Sequence, residues 1–301
     1  MRICCYLRRS GRLADLRPMR TTRDMYDSNE TTSQTLQATD PAVVRLVQFT
    51  DCHILAEARG RMKGMNTRAS FEAVCQIAMA NNTDLDLILA TGDLSQDAST
   101  TSYQYLAQQF DEMQLPLFWL PGNHDDGNVM HEHLRGERIS DAKLVLIGNW
   151  LIVLLDSTIQ GQASGIVSPE QIDFLEASLQ QHASRHALVC LHHQAIPSGS
   201  EWIDRLGLQQ PQALIDAIKS HDNVRAVLWG HVHQQAHHQR DGIEWMSTPS
   251  TCVQFKPGSK TFALDDQPPG YRRINLNRDG SIDTAVERLV DFEFEFEGTD
   301  C

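Results

Sequence analysis

No CxxC pair occurs among the seven cysteines, which stand scattered at Cys4, Cys5, Cys52, Cys75, Cys190, Cys252 and Cys301. That excludes a zinc ribbon and gives no disulfide framework; free thiols in a reducing cytoplasm are expected. Cys190, inside an apolar run, is expected to be a small buried hydrophobe. Positive charge is also scarce: 26 Lys and Arg stand against 39 Asp and Glu, a formal net charge of −13. Without a basic stripe, non-specific affinity for nucleic acid or an anionic membrane is disfavoured. No stretch approaches the roughly 18 apolar residues of a membrane span. Neither an internal repeat nor a low-complexity linker interrupts the chain, so one domain is expected.

No export signal is expected either. The first twenty residues are arginine-rich, and Arg8-Arg9 looks like a twin-arginine pair. The required apolar stretch of about 7–15 residues does not follow it. The longest apolar run there, Ile3–Leu7, precedes the pair. Residues 1–40 are expected to be a disordered extension, with Met25 an alternative start. Residues 41–290 would be the folded domain and 291–301 an acidic tail.

What is present, at 41% apolar and 22% charged residues over 301 positions, is the composition of a globule with a sizeable core. Five polar motifs each follow an apolar, strand-like run: Asp51-Cys52-His53, Gly92-Asp93, Gly122-Asn123-His124-Asp125, Leu191-His192-His193 and Gly230-His231-Val232-His233. The carboxyl ends of strands are where open α/β sheets place ligands. Asn66 could cap a helix running to Asn82, and Ser99 one running to about Met113. Leu115–Leu120 reads as a strand, and KLVLIG with LIVLLDS as an antiparallel pair. Ser168-Pro169-Glu170-Gln171 starts a further helix. His186–Leu191 and Val224–Trp229 read as strands flanking a helix at 212–220. IEWMST and YRRINLN read as late strands, with a hairpin turn at Arg278-Asp279-Gly280. Short links between some strands and helical links between others predict an α/β fold of two packed mixed β-sheets flanked by helices.

The motif residues are metal ligands by type. Asp, His and Asn supply oxygen and nitrogen without thiolate, which suits Fe, Mn or Zn. On a continuing strand, Asp51 and His53 would face the same side, as would His231 and His233. Cys52 would then point away and pack. Two ions about 3.5–4 Å apart form a clamp for in-line displacement at phosphorus. Asp93, alone at its strand end, is the natural bridge. His131, His133, His237 and His238 lie among polar residues and are expected to be loop surface groups.

The ordered set D-x-H, G-D, G-N-H-D, H and G-H-x-H resembles the signature of the calcineurin-like binuclear metallophosphoesterases, over about Val43–Arg288. The segments STPSTCVQFKPGS and PPGYRRINLNRDG resemble one branch, the bacterial class III 3′,5′-cyclic-AMP phosphodiesterases. The resemblance implies the four-layer metallophosphoesterase fold. It implies a first metal on Asp51, His53, Asp93 and His233, and a second on Asp93, Asn123, His192 and His231. Two divalent ions, Fe2+ or Mn2+, are the cofactors it implies. His124 corresponds to the family's non-ligand histidine and would be the catalytic acid. The substrate would lie against His53, Asp93, Asn123, His124 and His233. One departure is His192-His193-Gln194, where relatives often read His-His-Pro; the first histidine is taken as the ligand.

The reading is therefore hydrolysis of cyclic AMP to 5′-AMP by a hydroxide held between two metals, with Thr251–Phe255 in the pocket wall. The partner expected is this small cyclic nucleotide, not nucleic acid or membrane, and a homodimer is compatible with it. Alternatives are another phosphodiester or phosphomonoester substrate, such as a phosphoprotein, a glycerophosphodiester or a nucleotide sugar. A non-catalytic cyclic-nucleotide sensor is disfavoured by the complete ligand set.

Overall fold

Strands buried on both faces read as unbroken apolar runs, and two sheets of this chain are built from them. The computed structural model describes residues 32–290 and Phe292. One sheet has six strands in the order Ile282–Arg288, Gly270–Asn277, Val43–Phe49, Leu87–Thr91, Leu117–Leu120 and Ile139–Ser140. The other has seven, in the order Ser33–Leu36, Leu144–Ile147, Trp150–Leu154, His186–Cys190, Val224–Trp229, Ile243–Ser247 and Ala236–Arg240. Each sheet mixes parallel and antiparallel pairs.

The strand period of two sorts each run into layers. Leu46, Leu87, Leu89, Phe118 and Leu120 meet Trp150, Ile152, Leu154, Leu188, Cys190 and Leu228 between the sheets. The alternate residues Val47, Phe49, Ile88, Ala90 and Trp119 pack on the helices Thr67–Asn81 and Thr100–Glu112, through Phe71, Val74, Leu106 and Phe110. On the far side, Leu151, Val153, Val189 and Val227 face the helices Pro169–Gln181 and Pro211–Lys219, through Leu175, Leu179, Leu214 and Ile218. The result is four layers, helix, sheet, sheet and helix. Among the described residues, no helix is long and apolar enough to cross a membrane.

Helix starts lie where the sequence puts them. The side chains of Asn66, Ser99 and Ser168 each accept a backbone N–H three residues on, from Ala69, Ser102 and Gln171, as N-caps do. The KLVLIG and LIVLLDS runs form the expected antiparallel pair. Gly270–Asn277 and Ile282–Arg288 form the hairpin around Arg278-Asp279-Gly280.

Three expectations need correction. The extension expected to be disordered through residue 40 is ordered from Ser33: Ser33–Leu36 pairs in parallel with Leu144–Ile147, and the Thr39 amide donates to the Asp86 carboxylate. Residues 1–31 lie outside the described residues, as does the acidic tail apart from Phe292, which packs on the cores. His237 and His238 lie on the exposed edge strand Ala236–Arg240, not a loop. His131 and His133 lie in the helix Gly127–His133, with His131 exposed and its Nδ1 2.6 Å from the Asp141 carboxylate.

Candidate metal centre

The carboxyl ends of five central strands meet at one edge of the sandwich. Val43–Phe49, Leu87–Thr91 and Leu117–Leu120 deliver the first three motifs from one sheet. His186–Cys190 and Val224–Trp229 deliver the last two from the other. Backbone bonds sew the motifs together beyond the strands. Asp51 N–H donates to the Gly92 carbonyl at 3.0 Å, His53 N–H to Asp93 at 2.9 Å, and Gly230 N–H to His192 at 3.2 Å. The His231 amide donates to both oxygens of Asp51, at 3.1 and 3.0 Å.

The shared aim of Asp51 with His53, and of His231 with His233, does not come from a strand pleat. Their strands end at Phe49 and Trp229. Asp51 (φ 54°), His53 (47°), Asp93 (49°), His231 (65°) and His233 (48°) all take left-handed backbone. Such conformations cost on the order of 1–3 kcal/mol each and gather at functional sites. Cys52, between two of them, is fully buried in the core beneath, in keeping with a packing role. Two motif glycines make room for ligands of other motifs. A Cβ on Gly122 would overlap the amide and carboxylate of Asp93, and one on Gly230 would overlap Thr50 and Asp51.

The side chains converge as two groups. In the first, Asp51 Oδ1 lies 3.3 Å from His233 Nε2, and His53 Nε2 lies 3.1 Å from the same nitrogen. In the second, the ligand atoms of His192, His193 and His231 lie within 4.8 Å of one another. Asp93 stands between: its Oδ2 is 3.8 Å from His53 Nε2 and 3.3 Å from His192 Nε2. Its Oδ1 accepts the His124 amide at 2.8 Å. Asn123 has a buried Oδ1 without a hydrogen-bond partner. His124 is partly exposed, with its ring 5.0 Å from that of His53, and it joins His53 and Asp93 in a further candidate group.

Every ligand-type histidine but one has its Nδ1 committed. His53 Nδ1 donates to Gln96 Oε1 (2.7 Å), His192 Nδ1 to the Thr91 carbonyl (2.9 Å) and His233 Nδ1 to the Val253 carbonyl (2.7 Å). Such partners fix the tautomer and leave Nε2 as the lone pair. Hence the 3.1 Å approach of His53 Nε2 to His233 Nε2 sets two lone pairs face to face, an arrangement that calls for a cation between them. His192 Nε2 and His231 Nε2 are buried and without a hydrogen-bond partner. The donor set fits two hard-to-borderline divalent ions.

Electrostatics agree with that fit. Burial pushes His53 down to about 3 and His231 well below the usual imidazole range, with His193 and His192 adding repulsion at His231. Both rings are therefore neutral donors. Burial also opposes charge on His192, but the Asp93 carboxylate outweighs it and raises the ring to about 9. A proton held there occupies the place of a metal, since ligation and protonation compete for one lone pair.

All seven expected ligands and His124 thus meet at one edge. His192 is the histidine of the fourth motif that touches Asp93. His193 turns to Ser157, whose Oγ lies 2.8 Å from its Nδ1, and its ring sits 4.6 Å from that of His231. Sequence reasoning missed Gln96, the Thr91 and Val253 carbonyls and Ser157. Phe255, expected in the pocket wall, is stacked on His233 at 3.9 Å and 9°. Asp125 received no role from its motif; it accepts the amides of Leu94, Ser95 and Gly122 and the Tyr103 hydroxyl, tying the third motif to the second.

Comparisons with known proteins agree on the architecture. Residues 44–235 match the sequence profile of the family described as calcineurin-like phosphoesterase. The chain is 42% identical over 258 residues to the 3′,5′-cyclic adenosine monophosphate phosphodiesterase CpdA of Pseudomonas aeruginosa, covering 86% of this chain and 94% of the relative. Identity to CpdA of Escherichia coli K12 is 40%, covering 87% and 95%. A dimetal phosphatase from Danio rerio has a similar fold, with a TM-score of 0.58 at 14% identity, covering 82% of this chain and 99% of that one. A purple acid phosphatase from yellow lupin also scores 0.58, at 15% identity, covering 86% and 54%.

Proposed function

We propose, since this chain belongs to the calcineurin-like phosphoesterase family, that it is a phosphodiesterase hydrolysing 3′,5′-cyclic AMP to 5′-AMP. The substrate is carried over from the similar proteins named for that activity. One observation carries the site: Asp93 Oδ2 lies against His53 of one ligand group and His192 of the other. A carboxylate so placed is what a two-metal centre needs as its bridge.

Asp51, His53, Asp93 and His233 would hold one divalent ion, and Asp93, Asn123, His192 and His231 the other. When bound, the pair supplies charge neutralisation for the phosphate and an activated water at neutral pH. Fe2+ or Mn2+ suits the thiolate-free donor set. Gln96 and the Val253 and Thr91 carbonyls hold the Nδ1 atoms of His53, His233 and His192 and so would turn Nε2 toward the ions. Attack of that water's oxygen on phosphorus would break the P–O3′ bond, with the water's proton passing to solvent. His124, at the partly exposed edge beside His53 with its amide fixed on Asp93, would give its proton to the departing 3′ oxygen. The phosphate stays on O5′, so the product is 5′-AMP.

The four described cysteines, Cys52, Cys75, Cys190 and Cys252, are buried free thiols, which supports a cytoplasmic setting. The test is turnover of cyclic AMP, cyclic GMP and bis(p-nitrophenyl) phosphate by iron- and manganese-loaded protein, with the product identified by chromatography. 5′-AMP is expected. Turnover of the aryl diester with no turnover of cyclic AMP would move the reading to another diester.

A further inference from the structure

Metals that grip a phosphodiester group cannot tell one diester from another, because all diesters share that group. Discrimination needs a second surface near the centre. A cavity of about 310 Å³ lies beside it, with His233, Gln254, Phe255, Asp265, Gln267 and Arg288 in its wall. That volume falls in the range of small-ligand sites. The link to the centre is the His233 ring, which presents Nε2 to Asp51 and His53 and stacks on Phe255. A molecule whose phosphate lies at the ligand groups has this cavity as its neighbouring space on the His233 side.

The wall is polar in a particular sense. Gln254 is only 1% exposed, and its amide nitrogen donates to the Ser250 and Cys252 carbonyls at 2.8 and 2.9 Å. Flipping the amide would set its oxygen against both carbonyls, so Oε1 is fixed as an acceptor. That Oε1 has no partner. Asp265 pairs with Gln254 across a short antiparallel ladder and adds a half-buried carboxylate. Arg288 donates from Nη1 to the Pro268 carbonyl and lines the same cavity, where its guanidinium interacts with the Asp265 carboxylate. Adenine presents an amino donor at C6 beside ring-nitrogen acceptors, which complements acceptors beside a guanidinium.

We propose that this cavity is the nucleobase subsite, with the half-buried Asp265 carboxylate accepting from the exocyclic amino group of adenine. The proposal rests on the cyclic-nucleotide reading above and adds the element that contacts the base.

The test uses the metal-loaded full chain with bis(p-nitrophenyl) phosphate, which carries no base, as reporter. 5′-AMP and ribose 5-phosphate share sugar and phosphate and differ in the base. 5′-AMP should inhibit at a concentration about tenfold or more below that of ribose 5-phosphate, the value of one hydrogen bond to a charged group. Asp265→Ala and Gln235→Trp, the second filling the exposed rim of the cavity, should each abolish the 5′-AMP advantage at unchanged metal content. Equal inhibition by 5′-AMP and ribose 5-phosphate in the native protein overturns the proposal. So does an advantage that survives both substitutions. Because inhibition is read on the aryl diester, a native protein that shows the advantage but leaves cyclic AMP intact keeps the subsite and loses the substrate.

Discussion

Gly122 lies directly against Asp93: a methyl group on the glycine would overlap the aspartate's amide nitrogen and its Oδ1. That Oδ1 is the atom that accepts the His124 amide. The third motif therefore docks on the proposed bridging ligand of the second, and the missing side chain of Gly122 is what allows it.

Gly122→Ala should then act twice. Overpacking a tight contact costs about 1–3 kcal/mol, so the melting temperature should fall. Moving Asp93 should also lower the metal content, because it disturbs both ligand groups at once. Elemental analysis beside thermal unfolding checks both effects. Full metal content at an unchanged melting temperature would show that the close approach is not needed.

Asp93→Asn keeps the shape and removes the charge. Native, metal-loaded protein should carry close to two transition-metal equivalents, and chelation should abolish activity until Mn or Fe(II) is restored. The Asn variant should lose more metal than any other single ligand substitution, since Asp93 would serve both ions. If it retained two equivalents, the bridging assignment would have to be abandoned.

The centre was readable in the sequence because its ligands are rare residue types set at the ends of apolar runs. Strands such as LDLILAT and VRAVLW are buried on both faces, so they announce themselves by composition. What escaped is what has no side-chain signal. The acceptors of His192 and His233 are carbonyls of Thr91 and Val253, and any residue has a carbonyl. Left-handed backbone at Asp51, His53 and Asp93 leaves no mark, because neither aspartate nor histidine is diagnostic of it as glycine would be. The edge strands AHHQR and SQTL carry mostly exposed polar residues. A strand with a neighbour on one side only, and little buried surface, lacks the alternation that reveals it.

The Ser33–Leu36 strand leads to a prediction of its own. Leu36 packs against the core between the sheets, and the strand pairs along its whole length with Leu144–Ile147. A chain beginning at residue 41 should be less stable than one beginning at residue 32, by about 1–3 kcal/mol for the apolar surface uncovered. Equal denaturation midpoints for the two truncations would mean that the strand adds nothing to stability.

His124 separates an enzyme from a protein that merely binds metal. Its amide is fixed on Asp93 while its ring lies beside His53 at the partly exposed edge of the centre. Asn123, next to it, keeps a buried Oδ1 free for an ion, so the two neighbours can divide the work. Help from a general acid is typically worth about 10²–10⁴-fold in rate. His124→Ala should keep both metals and lose activity on cyclic AMP by about that factor. With bis(p-nitrophenyl) phosphate the loss should be far smaller, because p-nitrophenolate leaves without needing a proton. Metal analysis and the two rate ratios decide the matter together. Loss of an ion would make His124 a ligand. An equal penalty for poor and good leaving groups would make it a phosphate-binding group, since only an acid should be spared when the departing oxygen already carries its charge well.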